Sequence, residues 1–168
     1  EQALREVQEK NPRVHIRTCD VSQESQRLEL ARWVTSQFPK LNVLVNNAGI
    51  QRRMQLREPA NWQLSEEEIV INLHAPLHLS MLFAPHLMTQ ENPAIMNVTS
   101  GLAFVPLARV PVYCATKAAL HSFTLSLRHQ LSPAGIRVIE IIPPSVNTDL
   151  GGPGLHLTGT PVDEFADT

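Results

Sequence analysis

Tyr113-Cys114-Ala115-Thr116-Lys117 places a phenol and an ammonium at i and i+4, and on a helix that spacing puts both on one face, within reach of a common ligand. A phenol with a reference pKa of ~10 is a poor acid or base at neutral pH, and a positive charge one turn away favours its ionised form. The lysine is therefore the group that would tune it. Taken alone, the spacing describes a surface pair more often than a site. Thirteen residues before Tyr113, Ile95-Met96-Asn97-Val98-Thr99-Ser100-Gly101 ends an apolar run with the hydroxyl of Ser100. Leu44-Val45-Asn46-Asn47-Ala48-Gly49 ends another in two amides, a small residue and a glycine, where the backbone can turn sharply and let a flat ligand approach. An ordinary strand-ending turn has the same composition.

Such groups need elements to hold them. Four strand-sized apolar or β-branched runs occupy residues 14–18, 41–45, 94–99 and 137–142. Helical stretches span 23–37, 62–88 and 112–131, with Ser22 placed to cap the first and Pro133-Ala134-Gly135 to close the last. Val112, Leu120, Phe123, Leu127 and Leu131 repeat along the last helix as one buried stripe. Almost wholly apolar strands alternating with crossover helices predict an α/β fold, a doubly wound parallel sheet covered on both sides. Ligands of such sheets bind at the carboxyl ends of the strands, which is where Asn46 to Gly49 and Ser100 fall. The glycine-rich residues 151–159 read as a loop over that crevice.

The chain has 168 residues, 43% hydrophobic and 18% charged, which predicts a single globular domain over 1–168. No apolar stretch reaches the ~18 residues of a membrane span, and the N-terminus lacks the pattern of a signal peptide, so the chain reads as cytoplasmic. A net charge of -2 leaves no basic excess for nucleic acid. Cys19 and Cys114 read as reduced thiols. His74 and His78 stand four apart but lack a third ligand, so no metal is expected, and Cys114 reads as a small packed residue.

Taken jointly, Asn46-Asn47-Ala48-Gly49, Asn72 in the long helix, Ser100 and Tyr113-x-x-x-Lys117 resemble the short-chain dehydrogenase/reductase family over nearly the whole chain. Asp20-Val21 is similar to the place of the family's adenine-contacting Asp, and Pro143-Pro144-Ser145-Val146-Asn147-Thr148 to its Pro-Gly motif followed by Val and Thr beside the nicotinamide. The resemblance implies a Rossmann-like oxidoreductase that moves hydride between NAD or NADP and a small carbonyl or alcohol substrate. Tyr113 would then be the proton donor or base, and Ser100 the hydrogen-bond donor to the same substrate oxygen. Lys117 would bind the nicotinamide ribose and lower the pKa of Tyr113, and Asn72 would place a water that links Lys117 to solvent. Asp20, Val21, Asn46, Ala48, Gly49, Tyr113, Lys117, Val146 and Thr148 would contact the cofactor. A homodimer or homotetramer pairing through the helices over 62–88 and 112–131 is also implied.

Three positions depart from the family's pattern. No glycine-rich phosphate loop lies in these residues, Pro144 replaces the motif glycine, and His74-Ala75 follows Asn72-Leu73 where a glycine is frequent. The residue that selects NAD or NADP is not in this chain. The family's strand order would make the four runs strands three to six, leaving 14–18 without a neighbour in the sheet. That order predicts about forty further residues before Glu1, a strand and helix beyond Thr168, and no independent folding of 1–168. An inactive fragment or pseudoenzyme, acting only through association, is the competing expectation.

Overall fold

The computed structural model describes residues 2–59, 61–152, 154 and 156–167. Three strands form the sheet: β1 (Val43–Asn46), β2 (Ala94–Val98) and β3 (Arg137–Ile141), all parallel, in the order β1-β2-β3. The register aligns Asn46 with Asn97 and Asn97 with Glu140, so three polar residues lie in a row across the carboxyl end. Helices α1 (Gln2–Lys10) and α2 (Glu24–Gln37) precede β1, and α3 (Trp62–Ile69) and α4 (Ala75–Leu87) connect it to β2. Helix α5 (Pro111–Leu131) leads into β3, and a short α6 (Val162–Ala166) follows.

One face of the sheet carries the core. Ala31 of α2, Leu79, Phe83 and Leu87 of α4, and Leu127 and Leu131 of α5 pack with Ile95 and Val138 of the strands. Because side chains alternate along a strand, Val43 and Val45 point to the other face, where Val45 remains 50% exposed. Among the described residues the helices thus cover one face rather than both.

Residues 14–18 form no strand. A β-branched run becomes a strand only where a neighbour completes its ladder, and the three-stranded sheet offers none to this segment, as the strand order expected. The segment lies instead against α2 by its side chains, with His15 on Phe38 at 4.8 Å and Arg17 over Trp33 at 5.0 Å. Ser22 does not cap α2. The N-cap is Gln23, without a side-chain bond, and the Ser22 N–H is taken by the Asp20 carboxylate at 2.9 Å.

The helix expected over 62–88 is interrupted by a π-turn at Val70–His74. Pro76 is the local cause: it has no N–H for the carbonyl of Asn72 and its ring crowds that carbonyl, which the wider turn accommodates. In α5, Leu120, Leu127 and Leu131 are buried as the stripe requires, whereas Val112 faces an outer hollow. A 3₁₀ turn, Ser132–Ala134, and the left-handed Gly135 end the helix and turn the chain into β3.

Candidate active site

A cleft of about 650 Å³ opens where the strands end. Ser100, Tyr113, Lys117, Gly49, Val146 and Thr148 all line it. Ser100 is the first residue beyond β2 and Thr99, and its extended backbone caps a 3₁₀ turn, Gly101–Ala103, whose Leu102 N–H donates to Ser100 Oγ at 3.1 Å. Tyr113 and Lys117 sit one turn apart at the start of α5, 5% and 4% exposed. Pro111 opens that helix, at the position where a missing N–H costs nothing.

Burial dominates the electrostatics. It pushes the Tyr113 phenol above its ordinary value, while the hydrogen bond with Ser100 pulls it down and the charges of Cys114 and Glu68 push it further up. Burial also lowers Lys117 from 10.5 to about 8, because an ammonium loses its hydration there. Its Nζ donates to the Val98 carbonyl at 2.7 Å and stands 5.6 Å from the Tyr113 ring centroid. The lowering of Tyr113 expected from Lys117 is not what the structure gives: burial raises the phenol, and Lys117, turned to the Val98 carbonyl, is not among the groups that shift it.

Asn72 lies behind the cleft rather than in it. Its side chain accepts from Ile50 N and donates to Ile50 O, both at 2.8 Å, and donates to Thr116 Oγ1 at 3.3 Å. The π-turn therefore aims an amide that fastens the chain leaving β1 to α5. Asn46 is enclosed between sheet and helices, donating to Asn97 Oδ1 at 2.8 Å and Ser80 Oγ at 3.2 Å, while Asn97 donates to Thr124 Oγ1 at 2.9 Å. Val21, Asn46 and Ala48 border a second hollow of about 250 Å³ along β1, which meets the main cleft at Asn47. Asp20 is exposed, and its carboxyl is lowered by the bonds from Ser22.

The far wall comes from the segment after β3. Val146 bridges to Thr160, and Gly159 packs so closely that a Cβ there would meet the carbonyl carbon of Val146 at 2.7 Å. Only a glycine fits. Leu102, Leu107, Leu150, Val162 and Phe165 make the opening apolar, and Arg109 and His156 also line it. Sequence reasoning passed over Arg109 and Gln51, which carry no motif. Among the described residues no three His, Cys, Asp or Glu side chains gather as a metal site. His78 accepts from Arg27 Nε at 3.0 Å, and Arg27 also holds the Val21 carbonyl, so this histidine ties α4 to α2. Cys114 is buried against Leu107. No described helix is long and apolar enough to cross a membrane.

The sequence profile described as short chain dehydrogenase matches residues 1–154. The chain is 52% identical over 151 residues to an uncharacterized oxidoreductase, DltE, of Bacillus subtilis, covering 89% of this chain and 60% of that protein. It is 31% identical over 132 residues to human 15-hydroxyprostaglandin dehydrogenase [NAD(+)], covering 77% and 47%. Among solved structures, it superposes on a short-chain dehydrogenase of Streptomyces avermitilis with a TM-score of 0.81 at 25% identity, over 91% of this chain and 56% of that one. A 3-ketoacyl-(acyl-carrier-protein) reductase of Brucella melitensis, complexed with NADH, gives a TM-score of 0.73 at 29% identity, over 79% and 56%. The chain thus spans no more than about 60% of the relatives named here.

Proposed function

Since the chain belongs to the short-chain dehydrogenase family, we propose that it is the catalytic portion of an oxidoreductase that transfers hydride between NAD(H) or NADP(H) and a carbonyl or alcohol. The observation that carries this reading is the convergence of Ser100, Tyr113 and Lys117 on one cleft at the carboxyl end of a parallel sheet. Gly49 fits a flat group at the same place: a Cβ there would come within 3.4 Å of Asn72 Oδ1 and 3.7 Å of Lys117 Nζ. The Brucella reductase is a complex with NADH and the human dehydrogenase is named for NAD(+), which supports a nicotinamide cofactor and leaves NAD or NADP open.

When bound, the nicotinamide supplies or accepts the hydride. Tyr113 gives its phenolic proton to the substrate oxygen in reduction and takes it back in oxidation, and Ser100 donates a second hydrogen bond to that oxygen. Lys117 holds the nicotinamide ribose, and Asn72 serves a water that carries protons between Lys117 and solvent. Val146 and Thr148 would hold the cofactor on the nicotinamide side and Asp20 on the adenine side, with Val21, Ala48 and Gly49 also contacting it. Asn46 contributes by its strand-end position, since its amide nitrogen is turned inward to Asn97 and Ser80. Residues 1–168 act as one domain, and copies pair through α3, α4 and α5. The competing view, an inactive fragment acting through association alone, is disfavoured because the residues Asn72, Ser100, Tyr113 and Lys117 are all present and three of them line one cleft.

The test uses the full-length protein. Adding NADH and NADPH separately should enhance cofactor fluorescence and raise the Tm with at least one of them. Tyr113→Phe should keep the fold and that binding while turnover on a ketone and alcohol panel falls roughly 10²–10⁴-fold. Unchanged turnover in this variant overturns the assignment.

A further inference from the structure

At the back of the cleft, Thr99, Glu140 and His121 form a hydrogen-bonded chain that the reaction above does not use. Thr99 Oγ1 donates to Glu140 Oε1 at 2.7 Å, and His121 Nδ1 lies 3.0 and 2.9 Å from the two oxygens of the same carboxylate. The Glu140 side chain is only 8% exposed. A carboxylate so enclosed is tolerated when its oxygens are hydrogen-bonded, which is what Thr99 and His121 provide. Three elements meet here: β3 carries Glu140, α5 carries His121 one turn past Lys117, and Thr99 follows β2.

The chain of bonds encloses the Ser100 turn from both sides. Thr99 precedes Ser100 and is fixed by its hydroxyl bond to Glu140 and by its N–H to the Ile141 carbonyl at 2.9 Å. Phe104 ends the Gly101–Ala103 turn and meets the His121 ring edge-on, with centroids 4.6 Å apart. One His–Glu pair therefore grips the residue before Ser100 and the residue closing its turn. A hydrogen-bond donor aimed at a developing charge is effective only when it is held in place beforehand.

We propose that His121 and Glu140 are positioning residues that, through Thr99 and Phe104, hold the Ser100 hydroxyl in line with the substrate oxygen. The inference rests on the reading of Ser100 as the second donor to that oxygen. A double-mutant cycle in the full-length protein tests it, with NADH or NADPH and the panel substrate turned over fastest. In the Ser100 background, Thr99→Val and Glu140→Gln should each lower kcat about tenfold with cofactor KM changed less than about twofold. His121→Asn, which keeps an N–H donor near the place of Nδ1, should recover part of the loss caused by His121→Ala. In the Ser100→Ala background, Thr99→Val should lower kcat by less than about twofold, because the group being positioned is gone. An equal further drop in both backgrounds, or no drop in either, overturns the proposal. If Glu140→Gln does not fold, Thr99→Val carries the cycle, since it removes only a hydroxyl. Absence of any turnover in the parent, or full turnover in Tyr113→Phe, overturns the underlying reading. Failure of the cycle while Tyr113 remains essential overturns this inference alone.

Discussion

Lys117 joins stability to pH at a single side chain. Its folded-state value of about 8 lies below the 10.5 of an unfolded lysine, so between these limits the unfolded chain holds more protons and stability rises with pH. The full difference is about 3 kcal/mol, at 1.36 kcal/mol for each unit from 10.5 to about 8. Tyr113 works the other way: its raised value means the unfolded phenol ionises first, so stability falls as pH passes ~10. The expected Tm profile of the full-length protein rises above pH ~8 and turns over near 10, and Lys117→Met should remove the rise. A flat parent profile over this range would contradict the buried, weakly basic lysine. The chemistry of these two residues was legible from spacing, because i and i+4 share a helix face whatever surrounds the helix. Their burial was not, since it depends on β2, β3 and the segment after β3 closing over them.

At the scale of elements, the π-turn is the device that brings Asn72 to Ile50. Pro76→Ala restores an N–H for the Asn72 carbonyl and should let the turn tighten into a regular helix, removing a proline whose interior cost is ~3 kcal/mol. Tm is expected to rise or hold while kcat falls, as Asn72 rotates off Ile50; a fall in Tm with unchanged kcat would separate the turn from the site. Asn97 links β1 to α5 by bonding Asn46 on one side and Thr124 on the other. Asn97→Leu should destabilise by about 1–3 kcal/mol, as read from the urea midpoint, because Asn46 and Thr124 each lose one hydrogen bond while keeping those to Ser80 and Leu120. The helices and three of the four strands were legible because their periodicities are local. The run at 14–18 has equal strand propensity and no ladder, and the break near Asn72 is visible in the sequence only as Pro76.

Across the whole molecule, the outer side of α3 and α5 leaves a hollow of about 550 Å³ walled by Met54, Leu56, Trp62, Ile69, Leu73 and Val112. Trp62, at its rim, is 63% exposed. The proposed pairing through these helices would bury such a surface; it expects the full-length protein to sediment as an oligomer at micromolar concentration and Trp62→Glu to sediment as monomer, with cofactor fluorescence retained. A parent that sediments only as monomer would count against pairing. The sequence by itself determined the class of the fold and pointed to Ser100, Tyr113 and Lys117 at its strand ends, because hydrophobic period, strand-end glycine and the Tyr113 to Lys117 interval are properties of neighbours along the chain. Only the tertiary structure decided that Asn46 turns inward to Asn97, 51 residues away, and that Glu140 lies beside His121 and Thr99. Those contacts depend on the register of β1, β2 and β3 and on which face α5 covers, and register is set by packing across the sheet rather than by any run of adjacent residues.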